Sequence, residues 1–140
     1  MAQVTPLRAA QQYLILDTGG LLAWAEARPT VRAIVLTAAR REIAILVPAV
    51  VIAQAIRGGR RDAALNHVLK QAWIVPTTES LARQAGVLLG STGTTDVVDA
   101  LVAVQALQHL PSTILTSDPG DLRLLLQQDS ASSRVRVILA

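Results

Sequence analysis

Residues 12–22 read Gln12-Tyr13-Leu14-Ile15-Leu16-Asp17-Thr18-Gly19-Gly20-Leu21-Leu22, and their order decides the fold class. A short apolar run ends on an acid and a glycine pair, and a helical pattern follows at once. The same alternation recurs outward along the chain. Ile43–Val47, Trp73–Val75, Ser112–Thr116 and Arg134–Leu139 read as further strands. Leu21–Ala27, Pro29–Arg41, Pro48–Arg57, Arg61–Ala72, Thr78–Leu89, Thr95–Leu110 and Pro119–Gln128 read as helices, with Thr95–Leu110 the longest and Ser91-Thr92-Gly93 a loop. Strands separated by helices predict an α/β fold, with a mostly parallel sheet covered by helices on both faces. In such sheets the functional crevice lies at the carboxyl ends of the strands.

Length and composition agree with one such unit, and residues 1–140 are expected to form a single domain. Hydrophobic residues make up 51% of the chain and charged residues 16%, which excludes a disordered protein. There is no Phe, one Tyr and two Trp, so a module that stacks RNA bases on aromatic rings is not expected. The absence of Cys excludes thiolate metal sites, a cysteine nucleophile and a disulfide scaffold. His67 and His109 are far apart and lie in no metal-ligand spacing, so each reads as a surface or helix-end histidine. Net charge is +3, and Lys70 is the only lysine among the 13 basic residues, a mild bias towards an anionic partner. The apolar stretch Ile43–Ile56 is broken by Pro48 and Gln54 and is too short to span a membrane. No signal-peptide pattern opens the chain, and a cytoplasmic protein is the expectation.

The acids are concentrated where the crevice should be. The first strand runs into Asp17; the Ser112–Thr116 strand leads to Asp118, with Asp121 three residues on; the Thr95–Leu110 helix carries Asp96 and Asp99 in its first turn. Asp17 and Asp118 also suit helix N-caps, and Asp96 and Asp121 suit the positive end of a helix dipole. Asp99 resists that account. It shares a helix face with Val102, Ala103 and Ala106, where an ionised carboxylate is costly unless paired or metal-bound, and no cation lies nearby in sequence. Carboxylates converging on one crevice repel each other unless a cation neutralises them. Oxygen-only ligands favour a hard ion, Mg²⁺ or Mn²⁺, of the kind that activates water and stabilises phosphoryl oxygens.

Three segments now carry a resemblance. Leu14-Ile15-Leu16-Asp17-Thr18-Gly19-Gly20-Leu21-Leu22-Ala23, Asp96-Val97-Val98-Asp99-Ala100-Leu101-Val102-Ala103 and Leu115-Thr116-Ser117-Asp118-Pro119-Gly120-Asp121-Leu122 look like the signature blocks of PIN domains, in the family's order and spacing over nearly the whole chain. Within that family the sequence most resembles the VapC-type toxins of bacterial toxin–antitoxin pairs. The resemblance implies a three-layer α/β/α, Rossmann-like fold and a Mg²⁺- or Mn²⁺-dependent endoribonuclease. It also implies a homodimer and a small antitoxin protein that blocks the site. The family's acidic positions fall on Asp17, Asp99 and Asp118 as the metal set, with Asp96 beside them and Asp121 accessory. A hydroxyl near the metal site is matched by Thr116 or Ser117, which otherwise read as ordinary strand-end polars.

One position departs from the family. On the helix after Pro48, Gln54 stands where a Glu is expected. An amide oxygen can ligate a hard metal but brings no charge and cannot act as a base. Either Asp96 supplies the missing carboxylate or Gln54 orients a water at a site with one metal. The alternative is a catalytically weak PIN-like binding module. Arg57, Arg60 and Arg61 follow this helix, and Arg40 and Arg41 lie in the connection before the second strand; all five suit RNA phosphates or a solvated surface equally. An aspartyl-phosphate enzyme is disfavoured, because Gly19 stands where a second Asp is needed and Lys70 is far from any strand end. No Gly-Lys-Ser/Thr occurs, which excludes a P-loop. The weakly polar helix Val31–Ala39 is a candidate surface for an antitoxin or a dimer partner.

Overall fold

The computed structural model describes residues 6, 7 and 10–140. Within it the chain runs β1 (Tyr13–Leu16), α1 (Thr18–Ala25), α2 (Pro29–Arg40), β2 (Ala44–Pro48), α3 (Ala49–Ala55) and α4 (Asp62–Leu69). It continues through β3 (Trp73–Val75), α5 (Glu79–Thr92), α6 (Val97–Gln108), β4 (Ser112–Thr116), α7 (Pro119–Leu126), a 3₁₀ turn (Ser130–Arg134) and β5 (Val135–Leu139). The strands form one sheet in the order β3-β2-β1-β4-β5, and every pairing is parallel. Helices α2, α3 and α4 pack with α1, whereas α5, α6 and α7 pack with one another. The result is the three-layer α/β/α arrangement expected from the alternation of strands and helices.

Burial follows from position in the sheet. All five residues of β2 are buried, as are Leu14, Ile15 and Leu16 of β1, because parallel central strands are covered on both faces. The edge strand β3 leaves Trp73 and Ile74 exposed, and β5 at the other edge leaves Leu139 exposed. Prolines at the first helical position open α2 and α7, where the missing N–H has no intrahelical partner to lose.

Strand order reverses at β1. The chain lays β2 and β3 on one side of β1, then crosses back to place β4 and β5 on the other. A crevice therefore opens at the carboxyl ends of β1 and β4, the switch point where α/β sheets bind ligands. Its width is set by two glycines. A Cβ on Gly19 would lie 2.0 Å from Ser117 Oγ, and one on Gly20 would lie 2.2 Å from the Leu115 carbonyl oxygen. Only glycine lets the start of α1 pack this tightly against the end of β4.

Several element boundaries differ from the sequence expectation, most clearly those of α1, α4, α5 and α6. Helix α1 begins at Thr18, three residues before the expected Leu21, because Asp17 caps it and the glycines are inside its first turn. Helix α5 extends through Ser91 and Thr92, expected as loop, and stops only at Gly93, whose φ of +74° supplies the left-handed stop. Helix α6 is correspondingly shorter than expected, so α5 with 14 residues is the longest described helix. Helix α4 ends at Leu69 rather than continuing to Ala72. Among the described residues no single helix is long and apolar enough to cross a membrane.

Candidate active site

Asp17 leaves β1 on an extended backbone and turns into α1. Its Oδ1 accepts a hydrogen bond from Gly20 N at 2.9 Å, so it is a true N-cap. It is only 7% exposed. Burial raises its pKa above the ordinary value, the Thr116 hydroxyl and the Gly19 and Gly20 amides pull it back, and the Asp118 charge raises it. Thr116, fully buried at the end of β4, therefore donates to the Asp17 carboxylate while its Oγ1 accepts from Asp118 N at 3.0 Å. One hydroxyl ties the ends of β1 and β4 together.

Asp118 stands at the N-cap position of α7, but its side chain makes no cap hydrogen bond. The capping role open to it from sequence is not what its carboxylate does. Asp96 is the cap that α6 uses, accepting from Asp99 N at 2.9 Å. This leaves Asp99 itself. Val102, Ala103 and Ala106 on its helix face are fully buried, and the Asp99 carboxylate is half-buried above them. Its pKa rises from 3.8 to about 7: burial is the chief cause, followed by the charges of Asp96, Asp17, Asp121 and Asp118. Among the described residues the only ion pairs are Arg28–Glu26 and Arg83–Glu79, so no cation answers this cluster.

The fold thus brings the other four predicted acids within electrostatic reach of Asp99. Among the described residues, no three His, Cys, Asp or Glu side chains form a group that could hold a metal ion as they stand. Like charges without a counter-ion stay apart. The donor set nevertheless fits a hard divalent ion: it is all oxygen, carries several negative charges, includes a carboxylate already stripped of water, and has no protein cation to compete.

Gln54 is exposed on α3, whose Val51 and Ala55 are buried, and it reaches the start of α1. Its Oε1 is hydrogen-bonded by the hydroxyl of Thr18, the residue immediately after Asp17. Gln54 is thereby held beside the crevice, partnered by a hydroxyl rather than by any of the aspartates. Ser117 is exposed, with its Oγ against Gly19.

Beyond Gln54 a cavity of about 470 Å³ opens between α1, α3 and α4, with Arg57 and Arg61 among its lining residues. Arg60 sits exposed in the turn between them and does not line it. Arg40 and Arg41 are not part of this region. They precede β2, at the amino end of the sheet, because a parallel strand carries its entering loop to the end opposite the crevice. His67 is exposed in the last turn of α4, and His109 ends α6, hydrogen-bonded to Gln105 and edge-on to Tyr13, as helix-end histidines. The α2 surface keeps Val31, Val35 and Ala38 buried and exposes only Leu36 among its large apolar residues.

Two residues that shape the region carry no sequence signal. Thr18 reads as a first-turn hydroxyl, and only the approach of α3 to α1 gives it Gln54 as a partner. Asp62 reads as one more acid at a helix start. In the structure it is 8% exposed and accepts from Arg57 N at 3.1 Å and from Gly58 N at 2.6 Å, pinning the turn that carries the arginines.

Comparison with known proteins places this geometry. Residues 14–123 match the family model of the PIN domain. Among solved structures, the chain is similar to one from VapBC2 of Rickettsia felis bound to a DNA fragment from their promoter, with a TM-score of 0.67 at 13% identity over 91% of this chain and 98% of that one. It is also similar to one from FitAcB of Neisseria gonorrhoeae, with a TM-score of 0.55 at 19% identity over 89% of this chain and 96% of that one. No curated protein matches the sequence.

Proposed function

We propose, from the premise that this chain belongs to the PIN domain family, that it is a Mg²⁺- or Mn²⁺-dependent endoribonuclease acting as the toxin of a toxin–antitoxin pair. PIN domains are generally nucleases. The observation that carries the finer reading is Asp99: a half-buried carboxylate on an apolar face, raised to about 7 and surrounded by four like charges with no protein cation. A fold tolerates such a group when a ligand completes it.

Asp17, Asp99 and Asp118 would hold the metal, which supplies charge neutralisation and an acidified water when bound. The chain's own part is positioning. Thr116 fixes Asp17 and the Asp118 backbone in one register, and the Gly19–Gly20 approach keeps the two strand ends close. As a ligand Asp99 would act in its ionised form, the form that burial and the neighbouring acids disfavour in the metal-free protein. Asp96 lies beside Asp99 and caps α6. Asp121, exposed in the first turn of α7, adds negative charge at the rim. Arg57, Arg60 and Arg61 supply the cationic surface for RNA phosphates. An antitoxin partner, a homodimer and a cytoplasmic setting belong to the same proposal. Assembly with a partner is supported by the similarity to a chain of VapBC2.

Gln54 favours a second reading, a catalytically weak binding module, because the amide cannot accept a proton. One experiment separates the two: purified, partner-free chain is incubated with structured RNA, with and without Mg²⁺ or Mn²⁺, beside the Gln54→Glu variant. The nuclease reading expects metal-dependent cleavage by the natural chain, increased by Gln54→Glu. Cleavage by the variant alone supports the binding module. No cleavage by either, with no rise in melting temperature in millimolar Mn²⁺, removes the metal site altogether.

A further inference from the structure

We infer that the cavity between α1, α3 and α4 is a pocket for one unpaired nucleobase of the RNA, stacked on the Arg57 guanidinium next to the scissile phosphate; this rests on the nuclease reading above.

Position comes first. Gln54 is at once a lining residue of the cavity and the partner of Thr18, which follows Asp17 directly. The cavity therefore begins where the acidic crevice ends. A nucleotide adjacent to a phosphate held at the aspartates reaches it without leaving the surface.

Its chemistry is the second argument. Leu22, Ala55 and Leu65 give an apolar floor. Both carboxylates in the wall are already engaged: Asp62 by the Arg57 and Gly58 amides, and Glu26 by Arg28 at 3.2 Å. The polar groups left along the lining are the Gln54 NH₂, a donor whose amide oxygen is held by Thr18, and the cations Arg57 and Arg61. An apolar floor with an amide and two cations at the rim suits a flat group with a hydrogen-bonding edge and an anionic neighbour. A nucleobase with its phosphate has that form.

The third argument is the state of Arg57. Its Nη1 donates to the carbonyls of Ile56 at 2.8 Å and Ala53 at 3.2 Å, and its backbone N–H is held by Asp62. The guanidinium is thus drawn by Nη1 to the carbonyls at the end of α3, beside the cavity. Bases stack on arginine planes as well as on aromatic rings, and no aromatic lines this cavity. Arg61, in no ion pair among the described residues, is left for the phosphate. A base can enter only if it is unstacked, so the substrate is single-stranded or looped RNA.

The test is equilibrium binding of single-stranded oligoribonucleotides to the full chain by fluorescence anisotropy, with one abasic position moved along the strand. Ala64 lies exposed on the cavity wall, so Ala64→Leu fills the space without entering the core. Arg57→Lys keeps the charge and removes the plane. The natural chain is expected to lose affinity about tenfold at one abasic position and little elsewhere. Both variants are expected to weaken binding of the intact strand and to lose the positional effect. A flat abasic scan, or an Ala64→Leu variant that keeps its sensitivity, overturns the pocket. Hydrolysis of bis(p-nitrophenyl) phosphate by the natural chain with Mn²⁺ reads the carboxylate centre by itself. Hydrolysis with a flat scan removes the pocket and leaves the nuclease. A positional effect without hydrolysis keeps the pocket and removes the nuclease.

Discussion

Asp62 and Asp99 are both carboxylates drawn away from water near helix starts, and they differ in what surrounds them. Asp62 receives two backbone amides from the turn after α3 and is the fixed point of that turn. Asp99 receives no hydrogen bond on its carboxylate among the described residues and faces four other acids. The first acid is satisfied by its own fold and holds structure. The second has no such partner among the described residues, and on the proposed reading a bound cation supplies one. Burial alone does not separate a structural acid from a functional one; the inventory of partners does.

The largest effect that tests this contrast is on catalysis. Asp99→Asn keeps the shape and removes the charge, and RNA cleavage is expected to fall about 1,000-fold, several kcal/mol of lost charge stabilisation. Near-normal cleavage by a soluble Asp99→Asn protein would break the comparison at its functional end.

Stability probes the other end. Asp62→Ala strips the acceptor from the Arg57 and Gly58 amides and is expected to destabilise the protein by about 2 kcal/mol, read as a lower urea midpoint with unchanged slope. Asp99→Asn should move the metal-free midpoint the opposite way. If both substitutions destabilise alike, the distinction between the two acids is lost.

The smallest effect is on pH dependence, to which Asp99 contributes with a definite sign. Well below pH 3.8 the carboxyl is protonated in folded and unfolded chains alike. Between 3.8 and about 7 the unfolded chain ionises while the folded one keeps its proton, so the folded state loses ground as pH rises and the loss is complete above 7. Half of the group is open to solvent, and about 1 kcal/mol is expected, roughly 3 °C in melting temperature for the metal-free protein. Asp99→Asn should flatten that slope, and added Mn²⁺ should reverse it. A natural chain that gains stability relative to Asp99→Asn from pH 4 to 7 would place the Asp99 pKa below its ordinary value.

By itself the sequence determined the architecture and the identity of the acids. Five short apolar runs between helices leave a parallel sheet as the consistent arrangement, and a strand that stops on an acid places that acid at the carboxyl edge. The placement of Asp17 and Asp118 after strands and of Asp99 on a helix face was legible for this reason, since strand ends and helix faces are local properties. What only the tertiary structure decided was partnership. Asp118 stands at a cap position without capping, Thr116 joins two strands that are 95 or more residues apart in sequence by their register, Thr18 captures Gln54 across two helices, and Arg40 and Arg41 fall at the far end of the sheet from Arg57 and Arg61. Periodicity tells which face a side chain leaves from. The groups it meets depend on how separate elements pack, and those distances are set by contacts such as Gly19 against Ser117 and Gly20 against Leu115, which no local pattern encodes.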